Sequence, residues 1–426
     1  MSSTNRRKFL RQGLITGVSA VAVGDAFSGT FSSCYLPTDE LDLSTAGWPT
    51  IRELFYLDHA RHYLNTASLG PSPKSVVEAM FNATIRHEQT SETYYGETTL
   101  VRENVAKFFN CTAPEIAITR NATESINIVA RGLRLKKGDH VVMSKHEHVG
   151  GASPWMALQL EYGVEISLVD LDLTGENNFT ALTSAITKKT KALFFSHVCC
   201  TTGMVLPVRK IADYCAPLGI VTCVDGAQAI GQVKVDFRDL EPDFYVSSGH
   251  KWLYGPKGTG ILFVNERAKS RLKPTFVGAY SMSEYNLLEM KLSFLNDASR
   301  EEYGTRNTAL YHGIQAALDF ANGIGTSRIL ARGPELVAVL NNELSSIERV
   351  EILSPQDPRY SSSMFCFRIR DIDYTEVQKK LSEDFNCRVR GIYENNLFAI
   401  RISCAIHVLE DDIAQLISGV KKIASA

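Results

Sequence analysis

Asp243-Phe244-Tyr245-Val246-Ser247-Ser248-Gly249-His250-Lys251-Trp252-Leu253-Tyr254-Gly255 is the stretch on which the reading of this chain turns. Phe244, Tyr245 and Val246 have the character of a buried strand, after which the chain changes to small and polar residues. Lys251 therefore stands at the end of an apolar strand, beside Ser248, Gly249 and His250 and ahead of Trp252. Partial desolvation there disfavours the ammonium form and turns the amine into a nucleophile. Taken alone, the stretch is also satisfied by an ordinary lysine, one of 45 Lys and Arg residues, that carries its charge out to solvent.

A second apolar strand upstream, Ile220-Val221-Thr222-Cys223-Val224-Asp225-Gly226-Ala227-Gln228, ends in a carboxylate. The pair matches the needs of pyridoxal phosphate, which takes a lysine at its aldehyde and an acid opposite its pyridine nitrogen. Asp225 and Lys251 would lie at the ends of successive strands, where open parallel sheets hold their ligands.

With Val224-Asp225-Gly226-Ala227-Gln228 followed by Ser248-Gly249-His250-Lys251-Trp252, the chain resembles the class V aminotransferases of the fold-type I pyridoxal phosphate enzymes. That family includes cysteine desulfurases, kynureninases and isopenicillin N epimerases, and the likeness runs from about residue 60 to the C-terminus. It implies an α/β, PLP-dependent transferase fold (type I): a large domain with a mostly parallel mixed sheet flanked by helices, and a smaller α+β C-terminal domain. By the same likeness Lys251 is the Schiff-base lysine, Asp225 pairs the pyridine nitrogen, Gln228 bonds the ring hydroxyl, and Ser248 and His250 hold the phosphate.

The rest of the chain is arranged around this unit. Strands are expected near 140–144, 164–169, 191–198, 219–225, 243–247 and 260–264 with helical stretches between several of them, the alternation of an α/β sheet. Ahead of them, Asn121-Ala122-Thr123-Glu124 opens a helix with Ile126, Val129, Ala130 and Leu133 on one face, and Asn121 with Glu124 forms a capping-box pattern. A helix N-terminus binds phosphate readily, and the resemblance assigns the Ala122 backbone and the Thr123 hydroxyl to that task. Tyr63-Leu64-Asn65-Thr66-Ala67 precedes a Gly70-Pro71 turn; its family counterpart lies beside the substrate, which makes Asn65, Thr66 and Ala67 candidate pocket lining.

His146-Glu147-His148 lacks the spacing of a zinc helix and is not read as a metal site; the resemblance instead makes His148 the imidazole stacked on the cofactor ring. Gly255-Pro256-Lys257-Gly258-Thr259-Gly260 lacks the Ser or Thr after lysine and the following helix of a phosphate loop, and reads as a turn. Residues 270–300 show no period and are expected as an irregular segment over the site. In Gly304-Thr305-Arg306 the family's Gly-Thr reaches the partner's cofactor phosphate across a dimer interface, so the resemblance gives that role to Thr305 and implies a homodimer. Residues 309–426 read as the small domain, with Phe365, Phe367 and Ile369 on one strand face; residues 35–70 are expected to pack with it, and 71–308 to form the large domain.

Arg401-Ile402-Ser403-Cys404 resembles the substrate-arginine motif, and Arg390 lies on the neighbouring loop, so both are candidate substrate ligands. That loop, Arg390-Gly391-Ile392-Tyr393-Glu394-Asn395-Asn396, departs from the cysteine desulfurases in having no cysteine. Cys200 stands where desulfurases often have asparagine, and either faces the ring or fills space. The expected function is chemistry at the α-carbon of an amino acid, as an isopenicillin N epimerase-like member, an aminotransferase or an epimerase. The alternatives are a β-lyase or desulfurase-type C–S lyase and, from a different class, a binding protein on the same fold without turnover.

A net charge of −2 gives no basic face for nucleic acid, and the uncharged apolar run Gly13–Gly24 is about half of a membrane span. That run follows Asn5-Arg6-Arg7-Lys8-Phe9-Leu10, and residues 1–34 thereby resemble a twin-arginine export signal, a route that carries folded proteins to the periplasm or cell envelope. Thr30-Phe31-Ser32-Ser33-Cys34 faintly resembles a lipoprotein box with Phe in the aliphatic position, which leaves a lipid anchor at Cys34 open. The nine cysteines show no Cys-x-x-Cys spacing and read as small core residues. Changing Arg6 and Arg7 together to Lys is expected to retain the protein in the cytoplasm. Cell fractionation checks this, and unaltered export would reject the signal.

Overall fold

The apolar runs of the middle of the chain come together as one seven-stranded sheet. The computed structural model describes residues 41–425; residues 1–34, with the expected export signal and Cys34, lie outside them. After a two-residue strand β1 (His62–Tyr63), the sheet strands follow as β2 (Ile116–Thr119), β3 (His140–Ser144), β4 (Glu165–Val169), β5 (Thr190–Ser196), β6 (Val221–Asp225), β7 (Phe244–Ser248) and β8 (Gly260–Val264). Their order is β2-β8-β7-β6-β5-β3-β4, with β8 antiparallel to both of its neighbours and the rest parallel.

Both faces of this sheet are covered, which is why its strands read as continuous apolar runs. Along β5, Leu193 and Phe195 enter one core and Ala192 and Phe194 the other; along β7, Tyr245 enters the first and Phe244 and Val246 the second. The helices Ala122–Gly132 and Val149–Tyr162 close the second face through Ile126, Val129, Trp155 and Leu158. The helices Tyr95–Phe108, Val208–Cys215 and Ala309–Ile324 contribute to the first.

Residues 270–300 are more regular than expected. They include an antiparallel hairpin, β9 (Met282–Asn286) and β10 (Lys291–Phe294), whose side chains are mostly exposed. With neither face buried, the hairpin leaves no apolar alternation in the sequence, and the period that reveals other strands is lost here.

A second sheet, four-stranded and antiparallel, has the order β11-β12-β15-β14, built from β11 (Val350–Ile352), β12 (Met364–Ile369), β14 (Arg390–Ile392) and β15 (Ala399–Ser403). Phe365, Phe367 and Ile369 all point from β12 into the first core, together with Ile400 and Ile402 of β15, so one apolar core continues under both sheets. Strand β13 (Cys387–Arg388) pairs in parallel with β1. Beside that pair the buried Asp412, at the start of the helix Glu410–Ala424, is bonded by Arg52 and by His62 at 2.7 Å.

Running outward from β3, the chain goes to β4 on one side and to β5, β6 and β7 on the other. The crevice at the C-terminal ends of β3 and β5 is therefore the switch point at which doubly wound sheets bind ligands. Among the described residues, no helix is long and apolar enough to cross a membrane.

Candidate active site

A cavity of about 350 Å³ opens at these strand ends. It is lined from β5 by Ser196, from β6 by Asp225, from the end of β7 by Ser248, from the turn after it by His250 and Lys251, and from the turn after β3 by His148. Ala122 and Thr123 at a helix N-terminus, Ala67, Gln228 and Arg390 are further expected residues in the lining. A larger groove of about 630 Å³ lies behind the lysine turn, against Trp252 and Leu318, and is lined by none of the residues assigned to cofactor or substrate.

Lys251 is placed by backbone contacts. Gly249 N–H donates to Thr259 O (2.9 Å), Gly255 N–H to Gly249 O (2.8 Å) and Gly70 N–H to His250 O (2.9 Å). Gly70 must be glycine for this approach, since a Cβ would stand 2.1 Å from Lys251 O. Burial pulls the Lys251 amine below its ordinary range, and the nearby Asp225 carboxylate opposes the shift.

Asp225 ends β6 and is buried. Its Oδ1 accepts from Ala227 N–H at 2.8 Å, while Oδ2 faces Gly151, where a Cβ would lie 3.2 Å away. Burial raises the carboxyl, and the Ala227 bond and Lys251 work against it. His148 caps the helix Val149–Tyr162 by accepting Gly150 N–H on Nδ1 at 3.1 Å, which leaves the proton of the neutral ring on Nε2. Burial first, then Lys251 and Arg390, bring this imidazole down to about 4.

The phosphate candidates lie on the other side. Asn121 Oδ1 takes up Glu124 N–H at 2.8 Å, and helix geometry leaves the N–H groups of Ala122 and Thr123 without intrahelical acceptors. The reciprocal half of the capping box is absent: Glu124 bonds Arg120 N–H (2.6 Å) and its guanidinium instead. His250 Nδ1 is buried without a partner, and burial brings this ring down to about 4 as well. Gln228 spans the floor, donating to Ala67 O and accepting from Trp252 Nε1, both at 2.8 Å.

The remaining candidates fall outside the cavity lining. Arg401 is fully buried behind it, donating to Cys200 O, to Ser68 Oγ at 3.0 Å and to Asn65 Oδ1 at 3.4 Å. Asn65 thus acts on the site through Arg401, whereas Thr66 turns away to His407 Nε2 at 2.9 Å. Thr305 is exposed between Gly304, at φ 68°, and Arg306, whose guanidinium bonds Ile118 O at 2.6 Å.

Several participants escape sequence reasoning. Ser68 joins the cavity wall and the Arg401 contacts. Of the two positions left open for Cys200, facing the ring or filling space, it takes a place in the cavity lining. The thiol of Cys200 is pushed up to about 11 by burial, with Arg401 opposing. Beneath His148, the buried Glu147 accepts from Ser144 Oγ, Ser196 Oγ (2.6 Å) and Ser196 N–H (3.1 Å). The one available signal was the position of Ser196 beside Asp225 at the end of the adjoining strand.

Burial lifts the Glu147 carboxyl to about 7, and Asp225 adds to the shift against the serine bonds. Between an unfolded value of about 4.3 and that folded value, the native state holds a proton that the unfolded chain has lost. This group's contribution to stability therefore falls as pH rises through the window and is flat above it. Glu147→Gln, which removes the ionisation, is expected to gain stability relative to wild type from pH 5 to pH 8. Calorimetric melting of both proteins at the two values checks this, and a constant difference would reject it.

A model of the family described as aminotransferase class V matches residues 62–416. A relative named as a probable cysteine desulfurase, from Methanothermobacter thermautotrophicus, is 33% identical over 344 residues, covering 78% of this chain and 84% of its own. An isopenicillin N epimerase from Amycolatopsis lactamdurans is 28% identical over 395 residues, covering 88% and 98%. A solved variant of a cystine C–S lyase, with glycine covalently linked to its pyridoxal phosphate, shares the fold at a TM-score of 0.80, with 24% identity over 87% of this chain and 98% of its own. On the extent of the family match and of the similarity to these relatives, the chain belongs to the class V aminotransferase family.

Proposed function

We propose that this protein is a pyridoxal phosphate-dependent enzyme that acts at the α-carbon of an amino acid through Lys251. The observation that carries the reading is the convergence of Lys251, Asp225 and His148 on one cavity from three strand ends. The donor set fits the cofactor: the buried unpartnered His250 Nδ1, the Thr123 helix terminus and Ser248 suit its phosphate, and Asp225 Oδ2 suits its ring nitrogen. When bound, the cofactor supplies an aldehyde for amines and a ring that draws electrons from the substrate Cα–H bond.

Residues of the chain do the rest. Lys251 Nζ, whose charged form burial disfavours, would hold the cofactor through its aldehyde and would serve as the base toward the substrate Cα proton. Asp225 would keep a proton at the ring nitrogen, and His148, a neutral imidazole lining the same cavity, would offer its ring to the cofactor. Arg401, a cation buried behind the cavity with only neutral acceptors, would draw the α-carboxylate to this side and so aim the Cα–H bond at Lys251.

Where the proton goes next separates the outcomes. Return to the other face is epimerisation, delivery to the cofactor carbon is transamination, and loss of a β-substituent is a lyase reaction. The lyase reading is the second one, favoured by the cysteine desulfurase relatives. The loop Arg390–Asn396 has no thiol, and Cys200 is held protonated by burial, which disfavours an enzyme persulfide. A homodimer is supported by the exposure of Thr305 away from its own chain's cavity. Action outside the cytoplasm rests on the Arg6-Arg7 leader alone.

Borohydride treatment of the holoenzyme is expected to fix the cofactor to Lys251 and no other residue, as mapped by peptide mass spectrometry; another labelled lysine would overturn the assignment. In deuterated water an amino-acid panel should show exchange at Cα without persulfide, and no turnover of any member would leave only a binding role. Sedimentation is expected to give a dimer, and Thr305→Ala should weaken cofactor retention on dilution by about tenfold, the loss of one or two hydrogen bonds to a charged group. A fully loaded monomer would refute the shared site.

A further inference from the structure

Arg390 and Arg401 are register partners on β14 and β15; Arg390 lines the cavity and Arg401 is buried just behind it. Their surroundings differ. Arg401 meets only neutral acceptors, and its Nε is buried without a partner. Arg390 is paired with Glu394, whose carboxylate reaches back from the short turn Glu394–Asn396; the two side chains are only 24% and 13% exposed.

The turn is held in place by more than this ion pair. The second Glu394 oxygen accepts Tyr393 N–H at 3.2 Å. Asn395 Nδ2 bonds His146 Nε2 at 3.0 Å, and Thr201 Oγ1 holds the other ring nitrogen of that histidine at 2.8 Å. Asn395, Asn396 and Phe398 all adopt left-handed backbone, at φ 52°, 55° and 46°. Asparagine tolerates this conformation and phenylalanine does not, so the turn carries local strain beside the site. The result is a fixed carboxylate whose field reaches His148, Cys200 and Arg401.

With Arg390 paired to Glu394 and Arg401 meeting only neutral acceptors, these three groups leave a single uncompensated positive charge on this side of the cavity. One substrate carboxylate satisfies it; a second would sit beside Glu394 or have to displace it from Arg390, in a site where water screens poorly. We propose that Glu394 is a specificity-determining residue that neutralises Arg390 and so restricts the enzyme to monocarboxylic amino acids, excluding those with an acidic side chain. The inference rests on the amino-acid reading of the site given above, and it adds the class of substrate and the residue that sets it.

The test titrates the holoenzyme with L-alanine, L-serine, L-aspartate and L-glutamate, reading dissociation constants from the cofactor absorbance and from calorimetry. Wild type is expected to prefer the neutral pair. Glu394→Gln should narrow that preference by roughly tenfold, the scale of one charge contact in a partly screened site, and Glu394→Asp should retain it. A preference unchanged in Glu394→Gln, or a wild-type preference for aspartate or glutamate, would overturn the proposal. Arg390→Gln gives an independent reading should the glutamine variant fail to fold: it leaves Glu394 unopposed and should widen the preference, and an unchanged or narrowed ratio counts against the proposal. Absence of any amino-acid binding by wild type would instead bring down the functional reading, and this inference with it.

Discussion

An amine that is to act as a nucleophile near neutral pH has to lose its water without gaining a carboxylate at contact distance. At Lys251 both conditions are met. Among the described residues it has no ion-pair partner within 4.0 Å, and Asp225 is near enough only to oppose the effect of burial. The turn that carries it is clamped by two segments passing close to its backbone, at Gly70 and at Gly231, where a Cβ would stand 2.2 Å from Trp252 O. A larger residue at either place would move the lysine peptide, so the chemistry depends on backbone approach as much as on the side chains that line the cavity.

The same exclusion of water sets the state of the neighbouring groups. His148 and His250 are both held neutral, and each shift has burial as its largest cause and Lys251 as the next. For His148 neutrality is also a structural requirement, since Nδ1 can accept Gly150 N–H only when unprotonated. Capping the helix and presenting an uncharged ring to the cavity are therefore one property. Glu147 below it follows the same rule, with three serine donors around a carboxyl that burial raises to about 7.

Unlike these groups, the arginines come from the second sheet, and their placement depends on how that sheet is tied to the start of the described chain. Asp412 binds Arg52 and His62 and also caps its own helix by accepting Leu409 N–H at 2.8 Å. Ser403 N–H, two residues beyond Arg401, donates to Leu64 O at 2.9 Å, and Ala67 N–H donates to Ser403 Oγ at 3.0 Å. Losing either partner of Arg52–Asp412 would leave a buried charge, a cost of about 3–5 kcal/mol. The segment that supplies Asn65, Ala67 and Ser68 to the site is thus part of what holds Arg401 in it.

Much of this was legible in the sequence. Phe244–Ser248 and Val221–Asp225 announce themselves as strands because both sheet faces are buried and every position is apolar or small, and a polar residue at the end of such a strand stands at the edge where ligands bind. Asp225, Ser248 and Lys251 could be placed on one site from that argument, and His148 and Thr123 by family likeness. What stayed hidden was whatever depends on the direction of a side chain in irregular backbone. Glu394 lies in a turn where three non-glycine residues adopt left-handed angles, and no periodicity says that it folds back onto Arg390. Thr66 was expected in the pocket lining and turns instead to His407, while Cys200, left open between facing the ring and filling space, lines the cavity. Periodic patterns encode which face of a strand or helix is buried, and this was enough for the sheet, its order of elements and the edge that carries the chemistry. The pairing of Glu394 with Arg390, and with it the net charge of the substrate wall, came only with the tertiary structure, because long-range packing alone chooses the partner of a charge in a turn.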